Sequence, residues 1–313
     1  MEYRNLGRSG LQVSVVGLGT NNFGGRMDAA ATASVVDACL DHGITLFDTA
    51  DVYGGQGKSE EFLGKALHGG KREKAIIATK FAMTMGEGPH TSGGSRKYIM
   101  AAVDASLKRL GTDYIDLYQI HRPDPTTPLE ETMRALDDLV RDGKVRYLGN
   151  SNFAGWQIAD AHHIARQEHL TPFISAQNEY SLLNRSVERE VAPASEAFGL
   201  GILPFFPLAS GLLTGKYRRG EAAPAGTRLA AGAAGQRALT DSNFDVVEKL
   251  EEYAQTHGHT LLELAFSWLA SKPYVGSVIA GATKPEQVAS NAAAASWKLS
   301  AEEMAEVDAI ARR

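Results

Sequence analysis

The run Tyr114-Ile-Asp-Leu-Tyr-Gln-Ile-His121 is rich in large and β-branched apolar residues, is too short for a helix and stops on a histidine. It reads as a strand over 114–120, and the apolar residues of 128–142 then recur at helical period. Two runs upstream have the same form. Ile44-Thr-Leu-Phe-Asp48 and Ala75-Ile-Ile-Ala-Thr-Lys80 each end on a charged residue and precede a helical pattern. The rhythm extends in both directions: strands are expected at 15–19, 44–48, 75–80, 114–120, 145–149, 173–177, 201–205 and 275–279, with helices at 29–42, 58–68, 95–109, 128–142, 155–167, 187–198 and 285–295. Such alternation specifies an α/β fold of parallel strands with helices outside them, in which the polar residues at the C-terminal strand ends converge on one rim.

Two segments depart from the repeat. Near the N-terminus, Gly7-Arg-Ser-Gly10 separates 3–6 from 11–14 and predicts a β-hairpin. Between 206 and 273, where one βα connection is due, the chain carries an insertion with two further helices at 242–257 and 260–271. Its Arg218-Arg-Gly-Glu-Ala-Ala-Pro-Ala-Gly-Thr227 and Ala230-Ala-Gly-Ala-Ala-Gly235 stretches have few large apolar anchors, so 217–240 is read as a mobile lid. A closing helix over 300–311 is signalled by Ser300 with Glu303 at the capping-box position.

The residues expected at the rim make a proton-transfer set: Asp48, Tyr53, Lys80 and His121. A free tyrosine has a pKa of about 10, so a phenol becomes a useful acid or base only when a nearby cation stabilises its anion. Lys80 supplies that cation. An ammonium removed from water needs a counter-charge, which Asp48 supplies. A histidine in the right tautomer donates to a substrate oxygen and orients a carbonyl, the role expected of His121. Any one of these residues alone would read as structural; their joint placement at successive strand ends makes them the candidate catalytic set.

With these residues in place, the chain resembles the aldo-keto reductase superfamily nearly end to end. The resemblance rests on Asp48-Thr-Ala-Asp-Val-Tyr53, Gly57-Lys-Ser-Glu-Glu-Phe-Leu-Gly64, Ala78-Thr-Lys80 and Gln119-Ile-His121. Later segments agree: Leu148-Gly-Asn-Ser-Asn-Phe153, Ala176-Gln-Asn-Glu-Tyr180, Pro207-Leu-Ala-Ser-Gly-Leu-Leu-Thr-Gly-Lys216, and Val278-Ile-Ala-Gly-Ala-Thr-Lys-Pro-Glu-Gln287 through Asn291. It is similar above all to the bacterial branch related to potassium-channel β subunits and to aldehyde and sugar reductases. The resemblance implies a (β/α)8 TIM barrel whose bottom is closed by the hairpin, with Asp48, Tyr53, Lys80 and His121 as the catalytic tetrad and NADPH (NADP+) as the coenzyme.

The local motifs exclude other nucleotide sites. Gly17-Leu-Gly19-Thr-Asn-Asn-Phe-Gly24 has Asn22 where a Rossmann fingerprint needs its third glycine, and Gly211-Leu-Leu-Thr-Gly215-Lys216 is too short for a P-loop and is followed by Tyr217. The barrel's own site on the loops after strands seven and eight remains. By resemblance, Ser151, Asn152 and Gln177 hold the nicotinamide carboxamide, Phe205 stacks on its ring in place of the usual tyrosine, and Phe206 replaces a serine. Leu208, Ser210, Gly211 and Lys216 lie on the pyrophosphate segment, Gly281, Thr283, Lys284, Gln287 and Asn291 match the adenosine-phosphate end, and Gly19 and Thr20 complete the set. Ser290 stands where a glutamate often contacts adenine. Phe23, Tyr53, Phe81 and His121, with Met83 and the lid, are expected to make an apolar, aromatic-rimmed substrate pocket.

The bulk numbers agree with a single domain over 1–313, since an α/β barrel takes ~250 residues. A net charge of -5 from 32 basic and 37 acidic residues gives no field for nucleic acid or anionic membrane. The single cysteine, Cys39, forms no intramolecular disulfide. There is no apolar signal region and no run of ~20 apolar residues, so a cytoplasmic location is expected. His162-His163 and His257-Gly-His259 lack partners at metal-ligand spacing, so no metal is expected. The expected reaction is reduction of a small aldehyde or ketone, with Tyr53 as general acid. Rival readings are a coenzyme-binding redox sensor or regulatory partner, disfavoured by the lack of an appended N-terminal segment, and an isomerase or dehydratase, for which there is no positive sign.

Overall fold

The computed structural model describes residues 1–230 and 233–312. Strands β1 (Tyr3–Asn5) and β2 (Gln12–Ser14) pair antiparallel as the expected hairpin. The remaining strands, β3 (Val16–Gly19), β4 (Leu46–Asp48), β5 (Ile76–Phe81), β6 (Ile115–Ile120), β7 (Val145–Ser151), β8 (Phe173–Gln177), β9 (Gly201–Ile202) and β10 (Val278–Gly281), form one parallel sheet in chain order, with β10 beside β3. The sheet curls until its edges meet: Ile202 N donates to Tyr274 O (2.7 Å), Gly276 N to Ile202 O (2.8 Å) and Ile279 N to Pro204 O (3.1 Å). This is an α/β fold consistent with a TIM barrel.

Outside the sheet run α1 (Ala29–Asp41), the kinked turn α2 (Tyr53–Gln56), α3 (Lys58–Ala66), α4 (Arg96–Leu110), α5 (Leu129–Arg141), α6 (Gly155–Gln167) and α7 (Val191–Phe198). The segment after β9 contributes α8 (Ala233–Ala238), α9 (Asp241–Thr256) and α10 (Leu261–Ala270); α11 (Pro285–Ala294) follows β10, and α12 (Ala301–Ala311) ends the chain. Side chains cap several helix starts, with Asp28 accepting from Ala31 N and Ser300 and Glu303 completing the expected capping box.

Three elements differ from expectation. β9 stops at Ile202 rather than 205, because Pro204 has no N–H for the ladder. Val275 makes only an isolated bridge to Ile202, and regular pairing of β10 with β3 begins at Val278. α7 begins at Val191 rather than 187, after a tight turn over Ser186–Arg189, because Pro193 cannot donate back to residue 189.

Side chains alternate across the strands and separate two cores. Phe47, Ile77 and Ile120 face the helices, whereas Leu46, Ala78, Leu117, Leu203 and Ile279 meet inside the sheet with Leu6 and Val13 of the hairpin. The hairpin is thus a plug. Gly7 sits at φ +59, and a Cβ there would lie 2.4 Å from Gly199 O. The interior is also crowded at Gly149, where a Cβ would come 2.2 Å from Ser175 Oγ.

The segment expected as a lid includes residues 231 and 232, outside the described ones. Its described part is anchored: Tyr217 and Leu229 are buried, Leu229 N donates to Tyr217 Oη (3.3 Å), and Arg219 pairs with Asp241, Asp245 and Glu248 of α9.

Candidate active site

Strand parity carries the interior rows upward: Leu46 leads to Asp48, Ala78 to Lys80, and Leu117 through Gln119 to His121. Asp48 and Lys80 are almost wholly buried, 4 % and 0 % exposed. The Lys80 ammonium donates to Asp48 Oδ1, Asp48 Oδ2 and Thr49 O, each at 2.8 Å, so all three of its protons have partners. It lies 5.1 Å from the Tyr53 ring centroid. The Tyr53 and His121 rings meet edge to face, centroids 5.7 Å apart.

Burial and charge define the protonation states. Burial raises the Tyr53 phenol above its ordinary value; Lys80 pulls it down and Asp48 pushes it up, and the net direction is upward. Tyr53 is therefore a protonated donor. Burial pulls Lys80 down, but Asp48 and Tyr53 outweigh it and hold the ammonium charged. Burial, with the charges of Lys80 and Arg122, lowers His121 to about 3, so its imidazole is neutral. Its Nδ1 is buried without a hydrogen-bond partner among the described residues.

A cavity of about 740 Å³ opens from Tyr53 and His121 along the sheet's C-terminal rim to Ser290 and Asn291 on α11. Gly19, Thr20, Ser151, Asn152, Gln177, Phe205, Phe206, Leu208, Ser210, Gly211, Lys216, Gly281, Thr283 and Gln287 also line it. Near the tetrad the hydrogen-bond inventory is specific. Asn152 Nδ2 donates to His121 O and Ser151 Oγ, Ser151 Oγ donates to Gln177 O, and Gln177 Nε2 donates to Asp48 Oδ1 (2.7 Å). Gln177 retains one N–H and its carbonyl, and Asn152 retains its carbonyl, so the group can both donate to and accept from a carboxamide. Further along, Phe206, Ala209 and Ser210 all have positive φ ahead of Gly211 at φ +97. Such backbone is strained for side-chain-bearing residues and occurs where a loop is shaped for a ligand. These features fit a nicotinamide dinucleotide.

Other expected residues lie elsewhere. Phe23 and Phe81 are fully buried and do not line the cavity; Phe81 stacks on Tyr118 behind the strand. Phe81 is one residue beyond Lys80, and strand alternation turns it to the opposite face. Met83 is also outside the lining, so the aromatic groups at the cavity are Tyr53, His121, Phe205 and Phe206 instead. Lys284 is exposed at the N-cap of α11 and does not line the cavity, whereas Glu286 does. Arg26 and Arg228 line it without having been anticipated. Arg228 lies over the Phe206 ring (5.3 Å), and neither arginine has a carboxylate partner among the described residues. Both come from irregular segments, where periodicity gives no sign of direction.

The family model described as "Aldo/keto reductase family" matches residues 15–312. The chain belongs to the aldo/keto reductase family. With that family it is an NAD(P)H-dependent oxidoreductase acting on carbonyl or CH–OH groups. It is similar to a probable voltage-gated potassium channel subunit beta of Oryza sativa subsp. japonica, 41% identical over 93% of this chain and 90% of the relative. It is 39% identical to an oxidoreductase of Bacillus subtilis (strain 168), over 92% and 89% of the two chains. It is also 37% identical to the L-glyceraldehyde 3-phosphate reductase of Escherichia coli (strain K12), over 98% and 92%. Among the described residues no helix is long and apolar enough to cross a membrane.

Proposed function

We propose that this aldo/keto reductase is an NADPH-dependent reductase of aldehydes and ketones in which Tyr53 is the general acid. The observation that carries the reading is the buried Asp48–Lys80 pair set beside a protonated Tyr53, with neutral His121 at the edge of its ring. The bound coenzyme supplies hydride from C4 of the nicotinamide to the carbonyl carbon. Tyr53 gives its proton to the carbonyl oxygen, and the Lys80 field stabilises the phenolate left behind. His121, neutral at working pH, orients the oxygen as a hydrogen-bond donor. Ser151, Asn152 and Gln177 fix the carboxamide, and 206–211 with Lys216 hold the pyrophosphate.

The preference for NADPH rests on Thr283 and Lys284 at the start of α11, where a cation and the helix N-terminus favour a 2′-phosphate. The described part of the expected lid closes over the coenzyme through Gly226, Thr227 and Arg228, which reach the cavity. One domain over 1–313 and a cytoplasmic location complete the reading. Coenzyme oxidation across a panel of aldehydes and ketones tests it, and no turnover with any of them would overturn it. A second reading, a coenzyme-binding regulatory partner with residual reductase activity, is favoured by the relatives named as channel β subunits. It predicts tight NADPH binding with turnover near zero in that assay.

A further inference from the structure

Asp51 is 1 % exposed and does not line the cavity. Its amide donates to the Lys80 carbonyl (3.0 Å), which ties it to β5 just before Tyr53. The charged and titratable groups that act on its carboxyl are Glu60 of α3, which pairs with Arg109 of α4, and Tyr98 of α4, and a charge on Asp51 would in turn act on Tyr118 of β6 and Tyr53 of α2.

Hydrogen-bond counting decides the state of this carboxyl. Tyr98 Oη lies 3.2 Å from Asp51 Oδ2 and 3.2 Å from the Met83 carbonyl. A carbonyl only accepts, and a tyrosine has one proton. Tyr98 donates in both contacts and shares its one proton between them, so the carboxyl receives only part of a side-chain donor, too little to hold a buried negative charge. Asp51 Oδ1 is buried with no partner among the described residues, an arrangement that is costly for a carboxylate. Burial, and then the charge of Glu60, push this carboxyl up to about 7.

We propose that Asp51 is a positioning residue held as a neutral carboxylic acid, which keeps a second negative charge away from Tyr53. Losing that proton draws the shared Tyr98 donor closer to Asp51 and makes the Tyr53 phenol a weaker acid. Carbonyl reduction then declines as pH rises through neutrality. This consequence rests on Tyr53 being the general acid.

Asp51→Asn keeps an acceptor for Tyr98 and cannot titrate. It is expected to keep most of the reduction rate below about pH 7 and to lose the alkaline decline of the wild type, whereas Asp51→Ala loses rate at every pH. Infrared difference spectra of the full chain should show a protonated-carboxyl C=O band near pH 6 that fades on alkalisation and is missing from Asp51→Asn. An identical spectrum in Asp51→Asn, or an unchanged alkaline decline in that variant, would overturn the proposal. If no carbonyl compound were reduced while the infrared difference held, the reductase reading would fall and the proton on Asp51 would stand.

Discussion

Gln177 donates from Nε2 to Asp48 Oδ1 at 2.7 Å while Lys80 donates to both oxygens of the same carboxylate at 2.8 Å. Two strands that are not neighbours, β4 and β8, therefore share one charge, and a residue read as a coenzyme ligand also supports the tetrad. Gln177→Leu removes a donor from a buried anion. It should lower stability by about 1–3 kcal/mol, the range for a hydrogen bond to a charged group, and weaken coenzyme binding as well. A urea midpoint that falls at unchanged slope, together with a fluorescence titration, measures the two effects.

Tyr53→Phe keeps the ring and removes the transferable proton, so carbonyl reduction should be nearly abolished while NADPH still binds. Lys80→Met should be almost as damaging, because the phenolate then loses its stabilising cation. Near-normal turnover by Tyr53→Phe, with a deuteride isotope effect showing that chemistry limits the rate, would falsify the assignment of Tyr53.

NADPH is expected to bind more tightly than NADH. Lys284→Ala should narrow the gap by on the order of 1 kcal/mol, as loss of a charge-assisted contact would. Because Lys284 stands outside the cavity lining, its side chain must swing inward to make that contact. Equal affinities of the unmutated protein for the two coenzymes would end the idea.

Arg219 ties the start of the lid segment to α9 through Asp241, Asp245 and Glu248. Arg219→Ala should loosen that base and speed coenzyme release, with the fold intact by circular dichroism. Stopped-flow displacement gives the rate, and an unchanged rate would count against a closing lid.

His121 binds a proton less tightly in the folded chain, at about 3, than in the unfolded one, near 6.5. Its contribution to stability is therefore complete above about pH 6.5 and drains away as the pH falls toward 3. His121→Asn should flatten that part of the acid limb. Melting temperatures of both proteins across the window check the sign.

The parallel core was legible because each strand is an apolar run closed by a polar residue, and most element ends lie within two residues of expectation. The meeting of Asp48, Lys80 and His121 near Tyr53 was legible for the same reason, with strand parity directing each side chain inward. Phe81 shows the limit: its type suggested a pocket wall, but its position one residue past Lys80 sends it to the helix side. Arg26 and Arg228 show another, since a loop residue's direction depends on contacts made by distant segments. Asp51 gave no sign of its own in the sequence, because what distinguishes it is burial beside Tyr98 with too few donors, which exists only in three dimensions.

The plug also has a consequence for biosynthesis. Leu6 packs against Leu203 and Ile279, a Cβ on Gly276 would meet Leu6 Cδ1 at 2.6 Å, and Arg4 donates to the carbonyls of Ala270 and Val275. The hairpin thus has no complete docking surface until residues 203–279, made some two hundred positions later, have been added. Synthesis order and packing order run opposite to each other, and the hairpin can seat only after Ile279 has been made.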